Sequence, residues 1–590
     1  MPDTLAPPYA IEKRKQCEQL RADLWSARSS FDSHWRELSQ FYLPRRARFQ
    51  TSDTNKGDKR HQNIIDSTGT ESAQTCAAGM HSGITSPARP WFKLTVPDAD
   101  LAERDDVKQY LHDVETRMQK AMVKSNYYKT LSTLYQDLGV FGTGAFLILE
   151  DDQTVFRCYD YSLGTFAVAN DERREVRIFV RVCAMTAFQI VKRWGNLDAL
   201  GRPDFLRDEP STISVTVQNL WRRSPHTYVD VIHVIQPNAS YDGEKIAAKY
   251  KRYEEIYYEV GSSGRELNDS GFLGHSGYSE WPVMVGRWEK GDEDVYGTSC
   301  PGMTALGDVK QLQLMERRKA QAVDKKVNPP LVGPSRLVNS KVSALPGDVN
   351  YDDTPSERSG LRPLYQVTFD TSELREDQQD VRNRVRSAFH VNTFLMLSQS
   401  EHAKTATEVD ELKEEKLLVI GPTLEQINDD VLDQSIERIF GIMQRKGLFP
   451  PPPPDLQGEN LHIEYVSIAA QALRMVGIQS IERTAAFAGQ VMQVKEEAGD
   501  VIDFDQLIRE HGDATGVPPK VLRSDDDVAA IRQQRAQAMA QQQAAQNVPA
   551  MAGAARDLSE TSTQNDSVLA KLVNGQAARA TLNATARPAA

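Results

Sequence analysis

Ser398-Gln399-Ser400-Glu401-His402-Ala403-Lys404-Thr405-Ala406-Thr407-Glu408 is the stretch from which the rest of this sequence is read. Its first half is polar. Its second half, Thr405 to Glu408, has the spacing of a capping box, in which a hydroxyl and a carboxylate three residues on satisfy the orphan amides of a helix start. Beyond it Val409, Leu412, Leu417, Ile420, Leu424, Ile427, Val431, Ile436, Ile439 and Met443 recur mostly at three- and four-residue steps among charged residues, which predicts one amphipathic helix. Gly447 is a stop signal, and Pro450 to Pro454 cannot continue a helix. A helix over 405–446 would be roughly 60 Å long, with a bend expected at Gly421-Pro422.

Working outward, 590 residues allow two to four domains with a substantial core. The formal charge of −12 argues against a free nucleic-acid binder, which would show a basic face. Cys17, Cys76, Cys158, Cys183 and Cys300 show no metal-ligand spacing, which suggests reduced thiols in a cytoplasmic compartment and no zinc site. No apolar run opens the chain and none approaches the ~20 residues of a membrane span.

Before the central stretch, residues 10–43 read as an amphipathic helix with Trp35, Leu38 and Tyr42 on its apolar face, followed by a basic loop over 45–62. A small-residue helix over 66–82 (Ala73, Ala77, Ala78, Gly79) suits close packing. Helices are expected around Val107–Met122 and Tyr128–Leu138. Gly142-Thr143-Gly144 lacks the lysine of a phosphate loop and precedes a strand, so it reads as a turn. Residues 145–290 read as a β-rich insert, with strands at 145–149, 176–182, 213–217, 228–235 and 256–260, one helix at 187–194, and a Gly-rich turn at 261–277.

Residues 301–328 then form a helix carrying Arg317, Arg318 and Lys319, stopped by Pro329-Pro330. Short extended pieces follow, such as Leu331-Val332 and 366–369, in a Pro- and Gly-containing segment. A second helix, from Ser372 to about Asn392, is acidic first and basic later (Arg382, Arg384, Arg386), the order that suits a helix dipole. Two helices therefore flank a small tip and lead into the polar segment. Past the prolines come a short strand at 461–465, helix over 468–511, a break at Gly516-Val517-Pro518-Pro519, and a last helix after Ser524. Residues 547–590 are too poor in large apolar groups to fold alone. The sequence shows no metalloprotease, nucleotide or nucleophile-elbow motif. Asp292-Glu293-Asp294 and Asp525-Asp526-Asp527 leave one enzymatic alternative, a metal-dependent nuclease of the DNA-processing kind.

Several ordered pieces resemble the head-to-tail connector (portal) proteins of short-tailed bacteriophages. They are Ser86-Pro87-Ala88-Arg89-Pro90-Trp91-Phe92, Gly142-Thr143-Gly144, Trp281-Pro282-Val283, Arg287-Trp288 and Val295-Tyr296-Gly297-Thr298-Ser299. Ala305-Leu306-Gly307-Asp308-Val309-Lys310, Asn328-Pro329-Pro330-Leu331, Thr405 to Val409 with Gly421-Pro422, and Gly516-Val517-Pro518 with Ser524 to Val528 continue the series. The resemblance covers residues 10 to 545.

It implies an α+β, mostly helical portal fold with wing, stem, clip and crown, closed into a homo-oligomeric ring of twelve copies. The corresponding expectations are a wing over 1–300, stem helices over 301–328 and 370–393, a clip over 329–369 and a tunnel loop over 394–404. The spine helix and following elements take 405–511, a crown helix 512–546, and a flexible Ala-rich tail 547–590. The loop would offer DNA-facing Met396, Leu397, Ser398, Gln399, Glu401, His402 and Lys404, and the stem Arg317, Arg318, Lys319, Arg382, Arg384 and Arg386. The implied partners are double-stranded DNA held without sequence specificity, terminase, major capsid and scaffolding proteins, a tail adaptor and internal core proteins at the crown. No membrane and no cofactor are implied, and the chain is not itself an enzyme. Its place would be the virion's portal vertex, with the host cytoplasm during assembly.

Overall fold

The computed structural model describes residues 7–46, 48–49, 60, 62–88, 90–98, 101, 104–197, 203, 213–260, 272–291, 293–327, 331–332, 362–363, 371–398, 421–456, 462–465, 484–492, 503–515, 521, 523 and 527–541. Contacts divide the chain into two units, Met1–Gly516 and Val517–Ala590. In the second, residues 527–541 are helical.

The first unit opens with α1 (Pro7–Phe41) and α2 (Thr68–Ile84), then β1 (Phe92–Thr95), α3 (Asp105–Lys124) and α4 (Tyr127–Phe141). The main core is built on α4, where Tyr127, Leu131, Leu134, Tyr135, Leu138, Val140 and Phe141 are all buried. Trp35 of α1 is fully buried against it and donates its indole N–H to the Phe141 carbonyl at 3.1 Å. The small residues of α2 do what their size suits: a Cβ on Gly79 would collide with the Phe394 ring. Gly142 caps α4 in the left-handed region at φ 76°, its N–H bonding the Leu138 carbonyl at 3.0 Å. The Gly-Thr-Gly turn is therefore a helix stop that feeds directly into a strand. One basic side chain of the 45–62 loop is also accounted for, since Arg46 grips the buried Asp137 and reaches Asp160 at 2.8 Å.

The strands are β2 (Thr143–Asp151), β3 (Val155–Tyr161), β4 (Phe166–Asn170) and β5 (Val176–Thr186). After α5 (Ala187–Trp194) and α6 (Val215–Arg223) come β6 (Tyr228–Pro237), β7 (Tyr253–Glu259), β8 (Gly274–Tyr278) and β9 (Val283–Arg287). They form two antiparallel sheets, ordered β3-β2-β9 and β4-β5-β6-β7-β8. The capping box of α5 is complete: Gln189 N–H donates to Thr186 Oγ1 (3.2 Å), and Gln189 Oε1 accepts from Thr186 N–H (2.9 Å).

The strand expected over 213–217 is a correction, because those residues open α6. The Ser214 hydroxyl accepts from the Val217 amide at 3.2 Å as an N-cap. Ile213 and Val217 are buried while Val215 is 56% exposed, the four-residue step of a helix rather than a strand's alternation. The Gly-rich turn expected over 261–277 likewise yields at its end to β8, paired with β7.

Inside the five-stranded sheet, His233 is wholly buried, accepts at Nδ1 from Arg181 Nε (3.2 Å), and so donates from Nε2 to Glu255 Oε1 (2.8 Å). Burial lowers the His233 pKa to about 4, against the opposing pull of Glu255. Burial alone would raise Glu255, yet hydrogen bonds from His233, Ser276 and Tyr278 bring it to about 2. Between the ordinary histidine value and about 4 the unfolded chain binds a proton that the folded one refuses. Glu255 extends the same sign lower. Stability should therefore fall as pH drops from 6.5 toward 4. Melting temperatures between pH 7 and 4.5 should show that slope, and His233→Asn should flatten it whatever it does to stability at pH 7.

The remaining elements are α7 (Pro301–Thr304), α8 (Leu306–Val327), β10 (Leu331–Val332), β11 (Arg362–Pro363), α9 (Thr371–Ala388) and α10 (Val391–Ser398). Then come α11 (Gly421–Ile427), α12 (Asp433–Arg445), β12 (His462–Tyr465), α13 over 484–492 and α14 (Phe504–Thr515). Of the long spine helix, residues 405–420 lie outside the described residues. Between α11 and α12 the helix widens into a π turn, Asn428–Leu432. It stops where expected, with Gly447 at φ 64° and Leu448 N–H bonding the Met443 carbonyl at 3.1 Å. The short strand after the prolines pairs antiparallel with β1.

Candidate functional site

The candidate site is the helix pair α8–α9 and the segment that leaves it. Two lengths differ from the sequence reading. The first helix is interrupted at Ala305, so Pro301–Thr304 is a separate turn. The second ends at Ala388, where His390 takes φ 52° and redirects the chain into α10. Because α10 runs to Ser398, the backbone of the first residues expected in the loop, Met396, Leu397 and Ser398 among them, is helical. Gln399, Glu401, His402 and Lys404 lie outside the described residues. At the tip, β10 pairs antiparallel with β11, Leu331 opposite Pro363 and Val332 opposite Arg362. The extended piece expected over 366–369 lies outside the described residues.

The helices are joined at their foot by polar contacts. Arg382 donates from Nε and Nη2 to Asp66 Oδ2 (3.0 and 2.8 Å) and from Nη2 to Glu316 Oε1 (2.8 Å). Gln313 accepts at Oε1 from the amides of Ile65 and Asp66 (2.6 and 2.8 Å) and returns its Nε2–H to the Asp66 carbonyl (2.9 Å). Burial would raise the Asp66 carboxyl, but hydrogen bonds from Thr68 and the Arg382 guanidinium outweigh it and hold it low. Lys319 reaches the buried Gln378 at 2.9 Å. Asp66, Gln313 and Gln378 were missed by sequence reasoning. The only signal was the polar Asp66-Ser67-Thr68 run at a helix start, where Asp66 Oδ1 accepts from the Thr68 amide at 2.8 Å. Arg382→Gln should cost about 2 kcal/mol by stranding the Asp66 carboxylate, measurable by denaturant unfolding.

The six cations expected in the stem thus divide. Lys319 and Arg382 are committed within the chain, and Arg384 lies 3.4 Å from Asp308 and 3.6 Å from Asp380. Arg317 and Arg318 are exposed on α8, and Arg386 is half-buried. Along the same helix Leu314, Val323 and Val327 stand 46%, 43% and 79% exposed. Among the described residues no three His, Cys, Asp or Glu side chains converge as a metal ligand set. No described helix is long and apolar enough to cross a membrane.

Comparison with known proteins gives a consistent answer. The chain is 42% identical to the portal protein of Salmonella phage epsilon15 over 569 residues, covering 96% of this chain and 99% of that one. It is 39% identical to the probable portal protein of Bordetella phage BPP-1, covering 93% and 95%. A chain in the solved structure described as "Neck of empty GTA particle computed with C6 symmetry" matches 80% of this chain and 97% of its own at 10% identity. Its TM-score of 0.34 is too low to carry an argument about the fold. None of these similarities supports the nuclease alternative. Residues 14–522 match the family described as bacteriophage head to tail connecting protein, and the chain belongs to that family.

Proposed function

We propose that this chain closes into a ring of twelve copies at one vertex of a phage capsid, as the channel through which DNA is packaged and ejected. What supports the reading most is end-to-end similarity to a portal protein at 42% identity. The helix pair α8–α9 suits the stem, with the β10–β11 pair at its tip as clip. The exposed apolar residues of α8 suit the flank of a neighbouring copy, because a head-to-tail interface buries a different face on each side. Residues 1–300 would be the wing, residues 512–546 the crown, and 394–404 the tunnel segment, entered through α10.

Twelve copies at −12 each would carry roughly −140, which discourages a moving polyanion from sticking. Arg317 and Arg318 are free to touch phosphate without reading bases. No nucleotide motif is present, so a separate ATPase, the terminase, would dock on the clip and drive packaging. The tail adaptor would follow it there. Capsid and scaffolding proteins would meet the wing, and internal core proteins the crown. Assembly would take place in the host cytoplasm.

Electron-microscope images of the purified full chain decide the matter. Rings with a DNA-sized hole are expected; compact monomers would overturn the reading. Within such rings, a Gly/Ser link in place of Gln399 to Lys404 should leave assembly intact and reduce packaging or retention of DNA. Normal packaging would remove the tunnel role from that segment.

A further inference from the structure

Within the β-rich insert, the end of β5 and one face of α5 border an open hollow of about 450 Å³, lined by Arg181, Cys183, Met185, Phe188, Lys192 and Arg193 among others. Three cations border one small cavity. Among the described residues none of them forms an ion pair with a carboxylate. The nearby acid Asp230 weighs on Cys183 without pairing to any of the three.

What holds two of these cations in place is neutral. Arg181 donates from Nε to the imidazole of His233 at 3.2 Å and lies over the Tyr161 ring at 4.3 Å. Arg193 donates to the Tyr257 hydroxyl at 3.3 Å and lies 4.7 Å from the centres of the Trp194 and Tyr257 rings. Both partners hand on to the same buried carboxylate. His233 donates to Glu255 at 2.8 Å and Tyr257 at 3.0 Å, while Tyr278 and Ser276 each donate at 2.6 Å. Three of these bonds go to Oε1 and one, from Ser276, to Oε2, and they hold the Glu255 carboxylate on the neutral side chains rather than on either guanidinium. It neutralises them only at one remove. The guanidiniums are fixed in advance and lack a direct counter-charge, so an anion entering the cavity meets oriented donors at little entropic cost.

We propose that this cavity is a binding site for a free phosphate-class dianion, with Arg181 innermost against the buried His233 and Lys192 and Arg193 at the rim. Three cations match a doubly charged oxyanion better than the single charge of a phosphodiester, and every lining residue belongs to the β-rich insert.

The test is calorimetric titration of the full chain with inorganic phosphate at ionic strength matched with chloride. A dissociation constant below about 1 mM is expected. Lys192→Gln and Arg193→Gln, both exposed positions, should each weaken it about tenfold, Lys192→Gln with an unchanged melting curve. Arg181→Lys should weaken it at least as much, because an ammonium cannot reproduce the fork held by His233 and Tyr161. No phosphate binding at that level, or rim variants that bind as tightly as the parent, would overturn the proposal. So would a short DNA duplex that displaces phosphate, since the cations would then serve a polymer backbone.

Discussion

Arg287→Met should destabilise the protein by about 3–5 kcal/mol, among the largest single effects available outside its glycines. Arg287 ends β9 and is fully buried. It donates from Nε to Asp430 Oδ2 (2.8 Å) and from Nη2 to Asp430 Oδ1 (2.6 Å), a two-pronged grip on the π turn of the spine. Its other donors meet Asn170 Oδ1 (3.1 Å) and the Arg174 carbonyl (3.3 Å). Methionine replaces the volume but none of the donors, and Asp430 is left charged in a site that excludes water. The penalty is the stranded carboxylate and not the pair's net worth, so Arg287→Met/Asp430→Leu should recover much of the loss. Denaturant unfolding of the two variants decides it. A single variant within 1 kcal/mol of the parent, or a double variant worse than the single, would refute the account.

That pair also marks how far the sequence could be read. The apolar spacing around Val431, Ile436 and Ile439 and the stop at Gly447 were visible, because helix periodicity and a left-handed cap are local. The π turn was not. One extra residue per turn leaves no signature in composition, and its anchor lies 143 positions away at Arg287. The insert behaved similarly. β5, β6 and β7 announced themselves through β-branched and aromatic runs. β8, Gly274-His275-Ser276-Gly277-Tyr278, has no such run and is a strand because β7 supplies its hydrogen bonds. Ile213 to Val217 misled in the opposite direction. Its alternation fits a strand, and only the Ser214 cap and the burial of Val217 decide for helix.

The helix pair α8–α9 was legible as charge but not as bonding. Arg382 stands out in the sequence as one of three cations late in a helix. Nothing local says that Asp66, 316 residues earlier, takes up its guanidinium. Charges whose partner is distant in sequence look free, and that is why three of the six expected stem cations prove to have acidic or amide partners inside the chain. Arg317 and Arg318 are exposed on one turn of α8.

The glycines carry the other large effect, and Gly297→Ala should abolish soluble folded protein. Gly142-Thr143-Gly144 and Tyr296-Gly297-Thr298 are far apart in sequence, yet their backbones cross. The Gly142 carbonyl accepts from the Trp288 amide at 2.8 Å, and the Gly297 amide donates to Thr143 Oγ1 at 2.9 Å. A Cβ on Gly297 would overlap the Gly142 carbonyl oxygen and stand 2.8 Å from the Trp288 nitrogen. Both obstacles are backbone, so no side-chain rotation relieves them. The crossing also cannot open without losing the edge where β9 pairs with β2. Gly142→Ala meets the same crossing from the other side, 2.6 Å from the Gly297 oxygen and at a φ of 76° that L residues rarely adopt. Each should cost more than about 5 kcal/mol, a loss comparable with the roughly 5–15 kcal/mol by which a domain is stable. Gly307→Ala is the control. Its Cβ would meet nothing within 4 Å, and inside α8 it should be neutral or stabilising by up to about 1 kcal/mol. If Gly297→Ala gives soluble protein that melts like the parent, the backbone crossing is looser than its distances imply. If Gly307→Ala fails equally, glycine loss is harmful for some reason other than that crossing.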